Sequence, residues 1–253
     1  MPDDPPVKVA ALYDIHGNLP ALEAVLAEPD VAAADVVVIG GDAVEGPMPV
    51  ETLALLEGLG ERVRWLRGNT EREVLERRGA DPAEGGIWDR RATWVAAQLT
   101  SDQLARVAAW PATVAVDVDG LGPTRFCHAT PRDDYEIFTA ITPAEVVEPM
   151  LAAAEPTVVC GHTHVQFDRA IGERRVVNAG SVGFPYEGVT GARWCLLGPD
   201  VELRRTAYDM EAAAARIAAT DLPEAADLAQ ESLQPAAAEE ATTHFEEMRI
   251  GRE

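Results

Sequence analysis

The chain is short of positive charge. Its 253 residues hold 21 lysines and arginines against 43 aspartates and glutamates, a formal net charge of −22, and Lys8 is the one lysine. That deficit argues against binding a nucleic-acid polymer non-specifically and against docking on anionic membranes, because both need a basic face. Long apolar runs are also missing. No stretch approaches the roughly 20 residues a membrane span requires, and Met1–Pro6 lacks the basic and apolar regions of a secretory signal. Cysteine is scarce, with Cys127, Cys160 and Cys195 an odd and insufficient set for a disulfide scaffold. They read as reduced thiols, and the expected location is cytoplasmic. What remains is ordinary globular composition, 47% apolar and 25% charged, in a chain long enough to bury a sizeable core.

Buried-strand runs alternate with helical stretches over the first two thirds. Val7–Tyr13, Asp35–Gly41 and Val63–Arg67 read as strands. Between them, Asn18 can cap a helix over Leu19–Ala27, and a second helix spans Val50–Leu59. This βαβαβ order implies a layered α/β core with at least a partly parallel sheet. Glu71–Trp110 turns helical and reads as an insertion at about 71–110, with Ser101 offering an N-cap and Trp88, Trp94 and Trp110 in its core. A hairpin follows, Thr113–Asp119 with Thr124–His128. A helix over Pro143–Ala153 leads to strand Thr157–Cys160, and Phe167–Ile171, Arg175–Asn178, Arg193–Leu197 and Val201–Thr206 look like a run of antiparallel strands. Residues 209–253 carry −8 of the net charge and are rich in Ala and Glu. They read as a solvated helical tail, with a partner-binding or dimerising element the alternative.

Four of the five histidines stand directly after strand runs. The strand ends read Asp14-Ile15-His16-Gly17-Asn18, Gly40-Gly41-Asp42, Gly68-Asn69-Thr70-Glu71, Cys127-His128 and Gly161-His162-Thr163-His164. Ligand crevices in open α/β sheets lie beyond the carboxyl ends of the strands. Asp14, His16, Asp42, Asn69, His128, His162 and His164 can therefore converge on one rim. Carboxylate, amide and imidazole ligands without thiolate suit Mn²⁺, Fe, Zn²⁺ or Ni²⁺. Seven ligands are too many for one tetrahedral ion and fit two ions sharing a carboxylate, with Asp42 the natural bridge. His244, in the tail, reads as solvated.

The blocks Asp-x-His, Gly-Asp, Gly-Asn-x-Glu, a lone His and Gly-His-x-His, with about 27 residues between the first three, resemble the calcineurin-like metallophosphoesterase superfamily from Val7 to Tyr208. The resemblance implies a four-layer α/β/β/α sandwich of two mixed sheets, with a metallophosphoesterase domain over residues 1–208. It implies a first ion on Asp14, His16, Asp42 and His164, and a second on Asp42, Asn69, His128 and His162, with manganese favoured. Asp42, Asn69 and His128 then carry the catalysis, and a hydroxide bridging the ions is the nucleophile. The turn Asn178-Ala179-Gly180-Ser181 is similar to one that follows Gly-His-x-His in small bacterial members. One departure is Thr70, where many members have a histidine that protonates the leaving group. Threonine is no general acid near neutral pH. Thr70 tilts the expected activity towards phosphodiester hydrolysis of a small substrate or nucleotide. Phosphomonoester or dinucleotide-polyphosphate hydrolysis is the enzymatic alternative, and a non-catalytic metal-binding scaffold or a nucleotide sensor the alternative of another class. Glu71 can cap a helix and support the ligands. Arg132 reads equally as a phosphate grip or a surface ion pair. Tyr135 and Tyr186 read first as packing residues and second as pocket walls. A homo-oligomer is allowed by this reading but not required.

Overall fold

The computed structural model describes residues 7–251, so the reading of Met1–Pro6 lies outside the described residues. Ten strands form two five-stranded sheets. In the first, β1 (Val9–Leu12), β2 (Val36–Gly40) and β3 (Val63–Leu66) are parallel neighbours. The antiparallel strands β9 (Ala192–Leu197) and β10 (Val201–Thr206) complete the order β10-β9-β1-β2-β3. The second sheet runs β4-β5-β6-β8-β7, from β4 (Thr113–Val118), β5 (Gly122–Cys127), β6 (Thr157–Cys160), β7 (Phe167–Ile171) and β8 (Arg174–Asn178). Strands β5, β6 and β8 are parallel, while β4 and β7 pair antiparallel at the edges.

Side-chain alternation along the strands makes the layers. Val9, Ala11 and Tyr13 share one apolar cluster with Phe126, Val159 and Val177, which places it between the sheets. Ala10, Leu12, Val37 and Ile39 turn the other way, onto helices. Those helices include α1 (Leu19–Leu26), α2 (Pro29–Ala33), α3 (Pro49–Glu57), α4 (Asn69–Glu76), α5 (Ile87–Gln98) and α6 (Ser101–Ala108). On the far face of the second sheet, Cys127, Val158 and Val176 pack against Val147 of the short helix α7 (Ala144–Val147). The result is the expected α/β/β/α sandwich.

Several local expectations change. The antiparallel run divides between the sheets, because the chain crosses from β8 to β9 and only the pairs β7–β8 and β9–β10 are hairpins. Thr100, not Ser101, caps α6. Its hydroxyl accepts from Gln103 N, and Gln103 returns the bond to Thr100 N. The helix expected over Pro143–Ala153 is one α turn followed by a 3₁₀ turn at Glu148–Leu151, where Pro149 enters. Trp110 is buried and stacks on Trp65 at 4.6 Å between ring centroids, whereas Trp88 is 66% exposed and lies outside the core.

The largest correction concerns the tail. Of its three helices, α8 (Met210–Ala218), α9 (Ala225–Leu233) and α10 (Ala238–Ile250), the first two are not a solvated appendage. Ile217, Leu222, Ala225, Leu228 and Ala229 are buried in the first-sheet core. Arg90 on α5 pairs with Glu224 at 2.8 Å, and Arg216 on α8 pairs with Glu23 on α1 at 2.7 Å. Small residues on the buried faces let these helices lie close, which is why so few large apolar groups suffice. No helix among the described residues is long and apolar enough to cross a membrane.

Candidate metal centre

The parallel neighbours β1, β2 and β3 end at one edge of the first sheet, and β5 and β6 end beside each other in the second. Asp14 and His16 follow β1, Asp42 follows β2, Asn69 opens α4 after β3, His128 follows β5, and His162 and His164 follow β6. All seven side chains meet there. Their carboxylate and imidazole atoms fall into two compact groups, Asp14–His16–His164 and Asp42–His128–His162. Asp42 Oδ2 reaches towards both, 3.3 Å from His128 Nε2 and 3.7 Å from His16 Nε2. Asn69 Oδ1 lies 3.1 Å from His128 Nε2.

The backbone is bent to bring them in. Asp14, His16, Asp42, His162 and His164 have φ of 51°, 48°, 52°, 68° and 56°, the left-handed region that L-residues avoid. Such strain costs on the order of 1–3 kcal/mol per residue and persists where surrounding structure imposes it. That structure is a web of buried hydrogen bonds. The Glu71 carboxylate accepts the backbone N–H groups of Asp42 (2.8 Å), Ala43 (2.7 Å), Val44 (3.2 Å) and Gly68 (2.8 Å), and so fixes the loop carrying Asp42. Asp42 Oδ1 accepts Thr70 N, and Asp14 Oδ2 accepts His162 N, each at 2.9 Å. Ser181 Oγ donates to Asp14 O and Asn178 Nδ2 to Gly161 O, so the turn after β8 ties the Asp14 loop to the histidine loop. Glycine is required at position 68 because a Cβ there would lie 2.2 Å from Asp42 Oδ1.

Each of three imidazoles is held by its Nδ1–H. His128 donates to Gly40 O at 3.0 Å, His164 to Phe184 O at 2.7 Å and His16 to Glu45 O at 3.2 Å. That tautomer turns the Nε2 lone pairs inward, as metal-binding histidines are oriented. His16 Nε2 and His164 Nε2 then face each other at 3.2 Å as two acceptors, and His128 Nε2 faces the amide oxygen of Asn69 in the same way. Asp14 Oδ1 and His162 Nε2 are buried without a hydrogen-bond partner. Acceptors converging with no donor between them are the chemistry of a cation site. The spacings agree, since ligand atoms about 2.0–2.2 Å from a divalent ion stand roughly 3.0–3.5 Å apart.

Electrostatics point the same way. Burial opposes charge on Asp42, but His128, His16 and His162 outweigh it and hold the carboxyl well below the usual carboxylate range. Burial likewise lowers His128, yet Asp42 and Asp14 drive it up to about 10, and Glu45 with Asp42 drives His16 up to about 9. His162, beside His128 and desolvated, falls to about 4. Without an ion, a proton on Nε2 of His128 or His16 supplies the positive charge these carboxylates draw in, and a divalent ion would take its place.

The remaining candidates separate. Thr70 is buried at the rim, with a hydroxyl that has no partner. Arg132 is no phosphate grip here. Its guanidinium pairs with Glu136 and reaches Pro149 O at 3.3 Å, and it does not line the cavity. Tyr135 and Tyr186 do line it. Tyr186 stacks on His164 with centroids 4.9 Å apart, and Tyr135 tilts over His162 at 5.6 Å. Above the centre opens a cavity of about 1350 Å³. Sequence reasoning missed much of its wall, namely Glu45, Glu73 and the faces of α9 and α10; His244, exposed as expected, stands on that wall. For Glu45 the available signal is a carboxylate three residues beyond Asp42. The helical wall has no motif to find.

The model of the calcineurin-like phosphoesterase superfamily domain matches residues 7–197. An uncharacterised protein of Methanocaldococcus jannaschii is 25% identical over 237 residues, covering 85% of this chain and 94% of its own. A metallophosphoesterase structure from Sphaerobacter thermophilus superposes with a TM-score of 0.73 at 25% identity, over 90% of this chain and 99% of that one. A hypothetical protein from Pyrococcus horikoshii shares the fold with a TM-score of 0.75 at 19% identity, over 91% and 99%.

Proposed function

Because the chain belongs to the calcineurin-like phosphoesterase superfamily, we propose that it is a metal-dependent phosphodiesterase acting on a small ester, with two divalent ions, manganese favoured, at the candidate centre. One observation carries this reading: two groups of inward-facing acceptors lie side by side, and Asp42 Oδ2 of one stands 3.7 Å from His16 Nε2 of the other. Asp14, His16, Asp42 and His164 would hold one ion, and Asp42, Asn69, His128 and His162 the other. When bound, two such ions neutralise the phosphate oxygens and lower the pKa of water to the neutral range.

The chain's own groups do the positioning. Glu71 fixes Asp42 by four backbone bonds, and the carbonyls of Gly40, Phe184 and Glu45 fix three imidazoles, so little reorganisation is left for the reaction. Tyr135 and Tyr186 shield the histidines from solvent on the cavity side. Thr70 can donate a hydrogen bond to a phosphate or leaving oxygen but cannot release a proton near neutral pH, which favours esters with good leaving groups. A diester also brings one negative charge where a monoester brings up to two, and the acidic cavity tolerates the former better. The reduced state of the three buried cysteines supports a cytoplasmic setting.

The test is hydrolysis of bis-(p-nitrophenyl) phosphate by chelator-stripped protein after adding Mn²⁺, with Asp42→Asn alongside. Restored turnover in the wild type, lowered in the variant by more than the roughly 10²–10³ lost with a single electrostatic donor, is expected. No turnover by protein shown to bind two ions would redirect the reading to monoesters or to a nucleotide sensor. Absence of both turnover and metal binding would leave a scaffold.

A further inference from the structure

The cavity is far larger than a phosphate needs, and the chemistry of its wall says what else enters. Eight carboxylates and one guanidinium line it, whereas acids outnumber bases only about two to one in the whole chain. The excess is therefore local to the cavity. The guanidinium, Arg91, is already engaged, donating to Pro223 O at 3.1 Å and lying 5.2 Å over the Trp88 ring. On the helical wall, Glu231, Glu239, Glu240 and Glu247 are exposed, and none is paired with a lysine or arginine among the described residues. At the floor, the Glu45 side chain is more than nine-tenths buried, lines the cavity, and has one carboxylate oxygen, Oε1, with no partner. Aromatic faces stand among these charges. Tyr186 and Phe245 lie 6.3 Å apart at a tilt of 36°, and Glu231 is near enough to add to the burial that pushes the Tyr186 phenol up to about 12.

Carboxylates and aromatic faces without a free competing cation are the chemistry that recognises ammonium groups. The same wall repels a chain of phosphates extending beyond the centre, since like charges in a confined cleft exclude such a ligand. We propose that the cavity accepts a phosphate ester whose alcohol carries an ammonium group, seated against Tyr186, Phe245 and Glu231, and that it rejects polyphosphates. The inference rests on the phosphoesterase reading for the position of the phosphate, and on the helical wall for the position of the cation.

A matched pair of esters tests it. p-Nitrophenyl phosphorylcholine and p-nitrophenyl 3,3-dimethylbutyl phosphate share a leaving group and a shape, and differ in one positive charge. With the Mn²⁺-loaded full chain, kcat/KM for the ammonium ester is expected to exceed that for the neutral one by about tenfold or more. The ratio should fall towards one in Glu231→Gln/Glu240→Gln. A wild-type ratio of one or less overturns the inference and leaves hydrolysis standing. Calorimetric titration with phosphocholine and with 3,3-dimethylbutyl phosphate gives a second readout. If neither ester is hydrolysed, the phosphodiesterase reading fails. Tighter binding of phosphocholine would then still uphold the cation site, and equal or absent binding of both would overturn it.

Discussion

The cavity has two faces built on opposite plans. Its floor is strand ends in left-handed conformations, buried, with loop amides and carbonyls tied to distant parts of the chain and the inward acceptors left without donors. Its helical wall is ordinary α-helix. Ala241 is the one buried residue of α10, and that helix is fastened mainly through Glu246, which accepts the hydroxyls of Thr139 and Thr142 and pairs with Arg249. The floor sacrifices local backbone energy for geometry, and the wall has almost no strain and few ties. Chemistry common to a superfamily belongs on the first kind of surface, and selection among ligands on the second.

Substitutions can sharpen this contrast. Glu71→Ala should have the largest effect on stability, because four buried N–H groups lose their acceptor. About 4 kcal/mol is expected in urea unfolding, together with a loss of metal affinity of roughly 10–100-fold by titration. Ile217→Ala, a fully buried side chain of α8, should cost about 3 kcal/mol while leaving metal affinity unchanged. If metal affinity fell with it, the two faces would not be separable.

The smallest effect belongs to Glu246→Ala. Its largely buried bonds predict about 1–2 kcal/mol of global stability, with faster amide exchange confined to α10. Burial raises the Glu246 carboxyl, yet the two threonines and Arg249 outweigh it and lower it below its ordinary 4.5. Its contribution is therefore complete above pH 4.5 and is lost as pH falls through the lowered value. Exchange in α10 should rise over that acidic window in the wild type and be flat in the variant.

The same contrast explains what the sequence disclosed. Turn glycines and ligands at strand ends are local in the chain, so Asp14, Asp42 and His162 stood out; apolar runs gave a layered α/β core, and the family resemblance its two sheets. Long-range partners were not legible: nothing near Arg90 reveals that Glu224 pairs with its guanidinium, and nothing near His164 reveals the Phe184 carbonyl. Composition alone makes α8 and α9 look solvated, because alanine-rich faces such as Ala213, Ala214 and Ala229 bury by close approach rather than by bulk.

The central claim is that Asp42 is shared between two ions. Its most direct test is metal content by mass spectrometry, on chelated protein reloaded with Mn²⁺ and freed of excess. The account predicts two ions per wild-type chain and at most one in Asp42→Asn. One ion in the wild type, or two retained by the variant, would contradict it.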